Sequence, residues 1–575
     1  MVTIDKKDII KLLEQIAIYL ELKGENPFKI SAYRKAALAL ETDQRSRNEI
    51  DDYTQIKGIG KGTATVIEEY LTTGQSETLR QLEQEVPAGL VPLLDLPGLG
   101  GKKLAQLYQE LNVVDLTSLK KAAQAGEIAS LKGFGQKSAE KILKAVEEVG
   151  QRPERLPVYE VMPISARVEA YLAELPKITR FSIAGSMRRF RETLKDLDYI
   201  IATDQPEQVK DALLALPDIK EVIAAGQTKV SVLLQGKYDV SVDFRIVTDD
   251  QFATTLHHFT GSKDHNVAMR QRAKAQGEKI SEYGVENVET GEITTFATEA
   301  DFFKHFNLNF IPPELREFSG EIEAFEQEIP LIEQADIQGD LHMHTTWSDG
   351  AQSIEEMVQL ASELSYRYIA ITDHSKFLRV ANGLTEQRLR EQRKEIERLR
   401  TVYPNINILC GVEMDIRPDG HLDFADDFLQ EMDFVIGAIH SSFNQSEAEI
   451  MKRFVHAMEN PYVKMIAHPT GRIIGKRSGY RANVEQLIDK AVETGTILEL
   501  NANPKRFDLS ADWVRIAQDK GAQIAINTDA HNKATLSYMT AGVRVARRGW
   551  LKAETVVNTW SLDRLTAFWR QKEDR

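Results

Sequence analysis

Gly339-Asp340-Leu341-His342-Met343-His344-Thr345-Thr346-Trp347-Ser348-Asp349-Gly350 sets two imidazoles and a carboxylate at the end of a short apolar run. The same device recurs down the chain. Residues 366–375 (YRYIAITDHS) end in Asp373 and His374, 406–416 (INILCGVEMDI) carry Glu413, and 432–442 (MDFVIGAIHSS) carry His440. Residues 463–471 (VKMIAHPTG) carry His468, and 522–531 (AQIAINTDAH) carry Asp529 and His531. Helical patterns separate these runs, so the region reads as βα units and hence a parallel sheet or barrel. Each polar set falls at or just beyond the C-terminal end of an apolar strand, where α/β barrels assemble their active sites.

A single histidine at a strand end is ordinarily a satisfied structural residue. Six of the chain's twelve histidines recurring with Asp and Glu over successive strands are not explained that way. Imidazole and carboxylate together suit Zn, Mn or Fe better than Mg or Ca alone. There are too many candidate ligands for one tetrahedral ion, so two or three ions are expected. Such a cluster lowers the pKa of bound water and clamps a phosphate ester, which implies phosphoester hydrolysis. Asp373 and His421 are left out of the set, as ion-pairing or surface residues. The loop after His468 carries Arg472, Lys476 and Arg477, a candidate contact for a nucleic-acid backbone.

Upstream, residues 181–201 read FSIAGSMRRFRETLKDLDYII. A short apolar strand ends at Gly185-Ser186, a basic turn follows, and Asp196 and Asp198 sit on a second strand with their carboxylates on one face. A third strand, YDVSVDFRIV, brings Asp243 to an edge or functional face. Converging carboxylates make chemical sense if divalent cations bind between them, since bare like charges repel and retain protons.

The first 150 residues hold three similar pieces, Gly58-Ile59-Gly60, Gly98-Leu99-Gly100 and Gly133-Phe134-Gly135, each followed by a helical pattern. An apolar residue between two glycines permits a tight turn with one side chain in the core. The glycine backbone and the next helix's first N–H groups then face outward, suited to a phosphate.

At 575 residues the chain exceeds what one core serves, and several domains are expected. The single cysteine, Cys410, excludes an intramolecular disulfide framework and suits a reducing cytosol. No run is long enough to span a bilayer, and MVTIDKKDIIKLLEQIAIYL lacks a signal peptide's uninterrupted apolar core, so the expectation is a cytoplasmic protein with no membrane partner. A net charge of −15 does not veto nucleic acid, because metal sites concentrate acids and backbone N–H groups bind phosphate without net positive charge.

The glycine pieces resemble helix-hairpin-helix motifs, which grip DNA backbone through Gly58, Gly60, Gly98, Gly100, Gly133 and Gly135. Gly185-Ser186 with Arg188-Arg189, the Asp196, Asp198 and Asp243 carboxylates, and Phe259-Thr260-Gly261-Ser262 with Asn266 and Arg270 resemble the family X DNA polymerases over about residues 1–318. That resemblance implies that Asp196 and Asp198 hold two Mg or Mn ions, with Asp243 on the catalytic one. It implies that Gly185, Ser186 and Arg189 hold the nucleotide's phosphates, that Phe259 and Gly261 line the sugar pocket, and that Asn266 touches the base and Arg270 the template. His258 stands where vertebrate-type members have Tyr, which bears on ribonucleotide discrimination. Phe28–Ala37 resembles the same family's lyase domain, but Val66 stands at the nucleophilic lysine's position and cannot form a Schiff base. A 5′-phosphate grip without lyase chemistry is expected there.

The C-terminal ligands, His342, His344, Asp349, His374, Glu413, His440, His468, Asp529 and His531, resemble the nine positions of the PHP (polymerase and histidinol phosphatase) domain. That implies a distorted (βα)7 barrel with two or three Mn or Zn ions. The two modules together resemble the bacterial family X polymerases. The expected chain is multidomain: an α-helical helix-hairpin-helix region (1–82 and 83–152), an α+β nucleotidyltransferase-like palm (153–248) and a nucleotide-selecting thumb (249–318), a linker (319–336), and the barrel (337–575). The implied work is gap filling with 3′-5′ trimming on gapped or single-stranded DNA, with dNTPs as substrates, by a monomer in the bacterial cytoplasm and on the nucleoid. Apurinic sites and 3′-phosphates join the implied substrates. Two other readings are a DNA-end scaffold whose real work is nuclease, and a small-molecule phosphatase.

Overall fold

The computed structural model describes residues 6–42, 50, 52–96, 99–135, 139, 140, 142, 143, 146 and 153–574, and it divides into two compact units, residues 1–151 and 152–575. The first unit is helical, with Lys6–Lys23, Pro27–Thr42, Lys61–Thr73, Glu77–Glu85, Gly101–Leu111 and Leu116–Gln124 as its longer helices. Ile59, Leu99 and Phe134, the apolar residues between paired glycines, are buried in its two cores. Gly58 and Gly133 have φ of 114° and 90°, a left-handed turn that a side chain would strain. Gly60, Gly100 and Gly135 precede the helices, and a Cβ at any of them would meet no atom within 4 Å. Gly98 lies outside the described residues. Val66 packs inside the first core, with 6% of its surface exposed, so position 66 is a packing position here.

In the second unit, helix Val158–Ala173 precedes a five-stranded sheet: β1 (Arg180–Ile183), β2 (Leu197–Ala202), β3 (Ile219–Ala225), β4 (Lys229–Leu234) and β5 (Val240–Val247). Their spatial order is β1-β2-β5-β4-β3, with β2 and β5 parallel and the other neighbours antiparallel. Strict burial alternation along β5 sends Val240, Val242, Phe244 and Ile246 into the core and leaves Asp243 on the opposite face. Helices Phe252–Thr260, Lys263–Ala275 and Glu299–His305 follow, with a small antiparallel sheet between the last two. Phe302, Phe303 and Phe306 centre their core.

The acidic stretch 319–336, expected as a linker, is tied in. Ile322 and Phe325 are buried in that same aromatic core, and Ile332 joins the core of the barrel. Glu321 accepts from the buried ring of His265 (2.7 Å) and from the N–H groups of Phe318 (2.9 Å) and Ser319 (2.7 Å). An acidic composition reads as solvated chain, but here one carboxylate caps a turn and pairs a buried imidazole.

The barrel's strands are β6 (Gly339–Asp340), β7 (Tyr368–Ile371), β8 (Asn407–Asp415), β9 (Phe434–Ala438), β10 (Val463–Ile466), β11 (Ile497–Asn501) and β12 (Ile524–Asn527). All seven run parallel in sequential order, and a parallel bridge from Met343 to Ala530 joins the ends of β6 and β12. Among the described residues, no helix is long and apolar enough to cross a membrane.

Candidate metal centres

In the palm, Asp198 on β2 is paired in register with Asp243 on β5, and parallel pairing puts both carboxylates on one face. Asp196 lies two residues earlier, just before β2 rather than on it. Asp243 stands on an interior strand, not at the sheet's edge, because β4 covers its other side. Gly185 has a φ of 59°, and a Cβ there would overlap the Asp198 carboxylate, so glycine alone lets the turn close over it. Burial, then Asp196 and Asp243, push the Asp198 carboxyl up to about 7. Lys229 Nζ lies 2.9 Å from Asp243, and Lys229 and Arg189 both pull the Asp198 carboxyl down against that push. A trio whose buried member holds a proton near neutrality, by burial first and by its two acidic neighbours second, has the donor chemistry for hard divalent cations.

The turn carrying Ser186 is a single helical turn, Gly185–Arg188. Arg189, expected as a phosphate donor, is engaged elsewhere: its Nε donates to Glu317 (2.9 Å) and its Nη1 to the Thr260 carbonyl (2.7 Å). Arg188 pairs with the buried Glu299 (3.0 and 2.6 Å). Phe259 lies under the Arg245 guanidinium, 4.8 Å from it. The Asn266 amide donates to the His258 carbonyl (2.7 Å), leaving its own buried oxygen unpaired. A Cβ at Gly261 would overlap that oxygen. Arg270 is exposed and donates from Nε to the Asn266 carbonyl (3.1 Å). His258, Phe259, Gly261, Asn266 and Arg270 thus form one neighbourhood, linked to the palm turn by Arg189 and Thr260.

In the barrel, the nine expected ligands converge. Three groups have donor atoms within 4.8 Å of one another: His344, Asp349, His374 and His531; His342, His344 and Asp529; and His374, Glu413 and His440. His468 joins through Nε2, 2.9 Å from Glu413. All are buried or partly buried, and the backbone at His468 and Asp529 is left-handed (φ 30° and 51°), the kind of local strain that clusters at functional sites. His374 Nδ1 and Glu413 Oε2 lie 2.8 Å apart, yet neither makes an aligned hydrogen bond. Nδ1 of His344 and of His468 is also buried without a partner. Buried polar atoms are normally satisfied, so orphaned lone pairs in a nest of imidazoles and carboxylates fit cations. Burial alone would raise the Glu413 carboxyl, but His440, His342 and His374 hold it well below the usual range.

A second layer orients the rings, and sequence reading missed it. Glu499, wholly buried on β11, accepts from His342 Nδ1 (2.8 Å), the His468 N–H (2.7 Å) and the Asn527 amide (3.1 Å). Asp415 pairs with His440 Nδ1 (3.2 Å), and the Asp529 carbonyl with His531 Nδ1 (2.9 Å). The signal for Glu499 was a lone carboxylate inside the apolar run ILELN. For Asp415 it was its place two residues after Glu413. Asp373 is not at the surface: it is buried and accepts from Thr345 and Ser348 backbone N–H groups and from Gln392, bracing the loop that carries Asp349. Arg506, with its guanidinium 3.9 Å from Asp529, was also missed. Arg472 of the basic loop pairs with Glu192 of the palm (3.1 and 2.6 Å).

Comparison with known proteins covers the same regions. Family models match for a helix-hairpin-helix domain (residues 4–76), a SAM-like helix-hairpin-helix tandem (90–148), a DNA polymerase beta thumb (255–317) and a PHP domain (340–503). The chain is 57% identical over 568 residues to the DNA polymerase/3′-5′ exonuclease PolX of Bacillus subtilis (strain 168), covering 99% of this chain and 100% of that one. A probable phosphatase of Thermoanaerobacter sp. (strain X514) is 27% identical over 232 residues, 38% of this chain and 89% of that protein. A probable phosphatase of Acetivibrio thermocellus is 25% identical over 245 residues, 41% of this chain and 96% of that protein.

Proposed function

Because this chain belongs to the PolX family of DNA polymerase/3′-5′ exonucleases, we propose that it fills gaps in DNA from its palm and trims 3′ ends from its barrel. The observation that carries this reading is that two clusters with cation-binding chemistry, on two separate sheets, share one chain.

In the palm, Asp196, Asp198 and Asp243 hold divalent cations, Mg or Mn. Bound there, such ions would supply activation of a primer's 3′ hydroxyl and neutralisation of the triphosphate. Ser186 and Arg189 take the phosphates, Arg189 through a planar fork that matches them. Gly185 keeps the turn that carries Ser186 close against the Asp198 carboxylate. Phe259 and Gly261 border the sugar, Asn266 the base, His258 the pocket wall and Arg270 the template.

In the barrel, His342, His344, Asp349, His374, Glu413, His440, His468, Asp529 and His531 hold two or three Mn or Zn ions. Such ions supply an activated water and a clamp on the phosphodiester. Glu499 and Asp415 fix the tautomer and angle of His342 and His440, as carboxylates behind metal-ligating imidazoles do. The same cluster suits a terminal phosphomonoester, and the match to probable phosphatases favours 3′-phosphate removal as a companion activity. The helical unit holds DNA through the N–H groups at Gly58, Gly60, Gly100, Gly133 and Gly135 and, by analogy, Gly98. Such work, as for the bacterial relative, would be done in the cytoplasm, at the nucleoid.

A paired panel tests the reading. D196A/D198A should abolish primer extension on gapped DNA and leave trimming of preformed single strands within about twofold, and H342A/H344A should do the reverse, since each pair removes one metal site whole. If D196A/D198A also abolished trimming, two independent sites would be the wrong picture.

A further inference from the structure

The palm turn that carries Ser186 and Arg189 is gripped from behind by the C-terminal domain. Helix Tyr538–Arg548 reaches it with two arginines. Arg544 donates to the Arg188 carbonyl (2.6 Å) and to Glu314 (3.0 Å), and its guanidinium lies 4.3 Å from the Phe190 ring. Arg548 donates to the Arg189 carbonyl (3.3 Å) and to Glu317 Oε1 (3.3 Å). That same oxygen receives Arg189 Nε at 2.9 Å, with Arg191 at 3.6 Å. Side-chain exposures of Arg189, Glu317 and Arg548 are 13%, 20% and 14%, so the exchange takes place largely out of water.

Three guanidiniums face one carboxylate oxygen here, two of them within hydrogen-bonding distance, and one of those two has another task. For Arg189 to meet a triphosphate it must leave Glu317. A mostly buried carboxylate that loses its hydrogen-bonded partner is costly, because its charge is less well compensated, and Arg191 at 3.6 Å is too far to replace that bond. A second arginine already within hydrogen-bonding distance removes that penalty, and the departure of Arg189 relieves the repulsion between the two cations.

We propose that Arg548, a residue of the barrel domain, is a positioning residue for nucleotide binding in the palm: it retains Glu317 when Arg189 turns to the incoming triphosphate. This rests on the reading of Arg189 as a triphosphate donor. The nucleotide site in the palm is then incomplete without the C-terminal domain.

The test is single-nucleotide insertion by the full chain on gapped DNA whose primer carries 3′ phosphorothioate linkages against trimming. R548Q should raise the dNTP KM about fivefold and change kcat less than twofold, the signature of lost ground-state binding. E317Q should lower the KM about threefold, since Arg189 no longer leaves an ion pair, and R548Q should add nothing further in the E317Q background. R548K, which keeps the charge, should stay within about twofold of wild type. Trimming of single strands on the unmodified oligonucleotide reports folding and should be unchanged in each. The same rise from R548Q with and without E317Q would overturn the proposal, as would an unchanged KM, or joint loss of kcat, trimming and thermal stability in both R548Q and R548K. R189Q separates the two levels. If R189Q raises KM while R548Q does not, the Arg189 reading stands and the role of Arg548 falls; if R189Q leaves KM unchanged, both fall.

Discussion

The palm and the barrel both gather acids for cations, but they balance charge in different ways. The palm sets three carboxylates against Lys229 and, less directly, Arg189, and burial, then Asp196 and Asp243, still push Asp198 up to about 7. The barrel sets three carboxylates among six imidazoles, and behind two of those rings stand further buried carboxylates, Glu499 and Asp415. On the proposed function, cations and nucleotide would supply the charge that this palm lacks. The barrel is organised before its substrate comes, ring angles included. Chemistry that must wait for the right nucleotide gains from an incomplete site; hydrolysis of a strand end does not.

The largest test of this contrast is Gly185→Ala. A methyl there would overlap the Asp198 carboxylate, and the φ of 59° strains any side chain. Primer extension should fall at least about a hundredfold, because ångström-scale displacement of a reacting group costs that much. Trimming by the same protein should be unchanged. Near-normal extension by this variant would mean that the turn does not close over Asp198 during synthesis.

Next in size is Glu499→Gln, which removes the charge behind His342 and places an amide against the His468 N–H. Outer partners of metal ligands are worth about ten- to a hundredfold in affinity or activity, so trimming and bound metal, measured by elemental analysis, should drop together by that factor. Extension should not move. If metal content held while trimming fell, Glu499 would be acting on the substrate rather than on the ligands.

Why the barrel was more legible in the sequence than the palm follows from the same contrast. Parallel strands buried on both faces leave ligands only at their ends, so His374, His440 and His468 stand out against apolar runs. The palm's Asp198 and Asp243 meet through register across two strands 45 residues apart (243 − 198), which no local pattern encodes. The family likeness, not periodicity, joined them. Glu499 and Asp415 were invisible as partners because strand periodicity tells which face a residue takes, not which ring lies across it. The occupied fork of Arg189 and the packing of 319–336 were hidden for a related reason: both depend on residues, Glu317 and Trp550 among them, that fold back from other segments.

Proton linkage should separate the sites more gently. Asp198 is neutral below about 7 and ionised above it, so a cation entering the palm at lower pH must displace a proton. The half-saturating Mg concentration for extension should rise about tenfold for each pH unit below that value and level off above it. The stability sign is the reverse of a salt-bridged acid: between about 4 and 7 the folded chain holds a proton that the unfolded chain has released, so this group subtracts stability as pH rises through that window. In the barrel, burial would lower His440, but Glu413 and Asp415 outweigh it and push the ring up to about 10. Metal loading for trimming should therefore keep improving with pH beyond the point where extension has levelled off. Identical pH midpoints for the two activities would break the contrast.

The smallest effect concerns Arg506. Its guanidinium lies 3.9 Å from Asp529, too far for a hydrogen bond, on a loop whose backbone is held by Arg472 through the Arg506 and Phe507 carbonyls. Arg472 is in turn paired with Glu192 of the palm. A cation fixed beside the metal ligands and short of a direct bond to them has its donors open to a phosphodiester. Arg506→Gln should weaken binding of a single-stranded oligonucleotide about fivefold with metals chelated by EDTA, and it should flatten the log–log salt slope by about 0.7, the counterion release of one phosphate contact on a single strand. Fluorescence anisotropy across a salt series measures both. A loss of affinity with no change in slope would mean that Arg506 only shapes the loop; a change in slope ties it to the phosphate, and makes the barrel's edge a surface charged before DNA arrives.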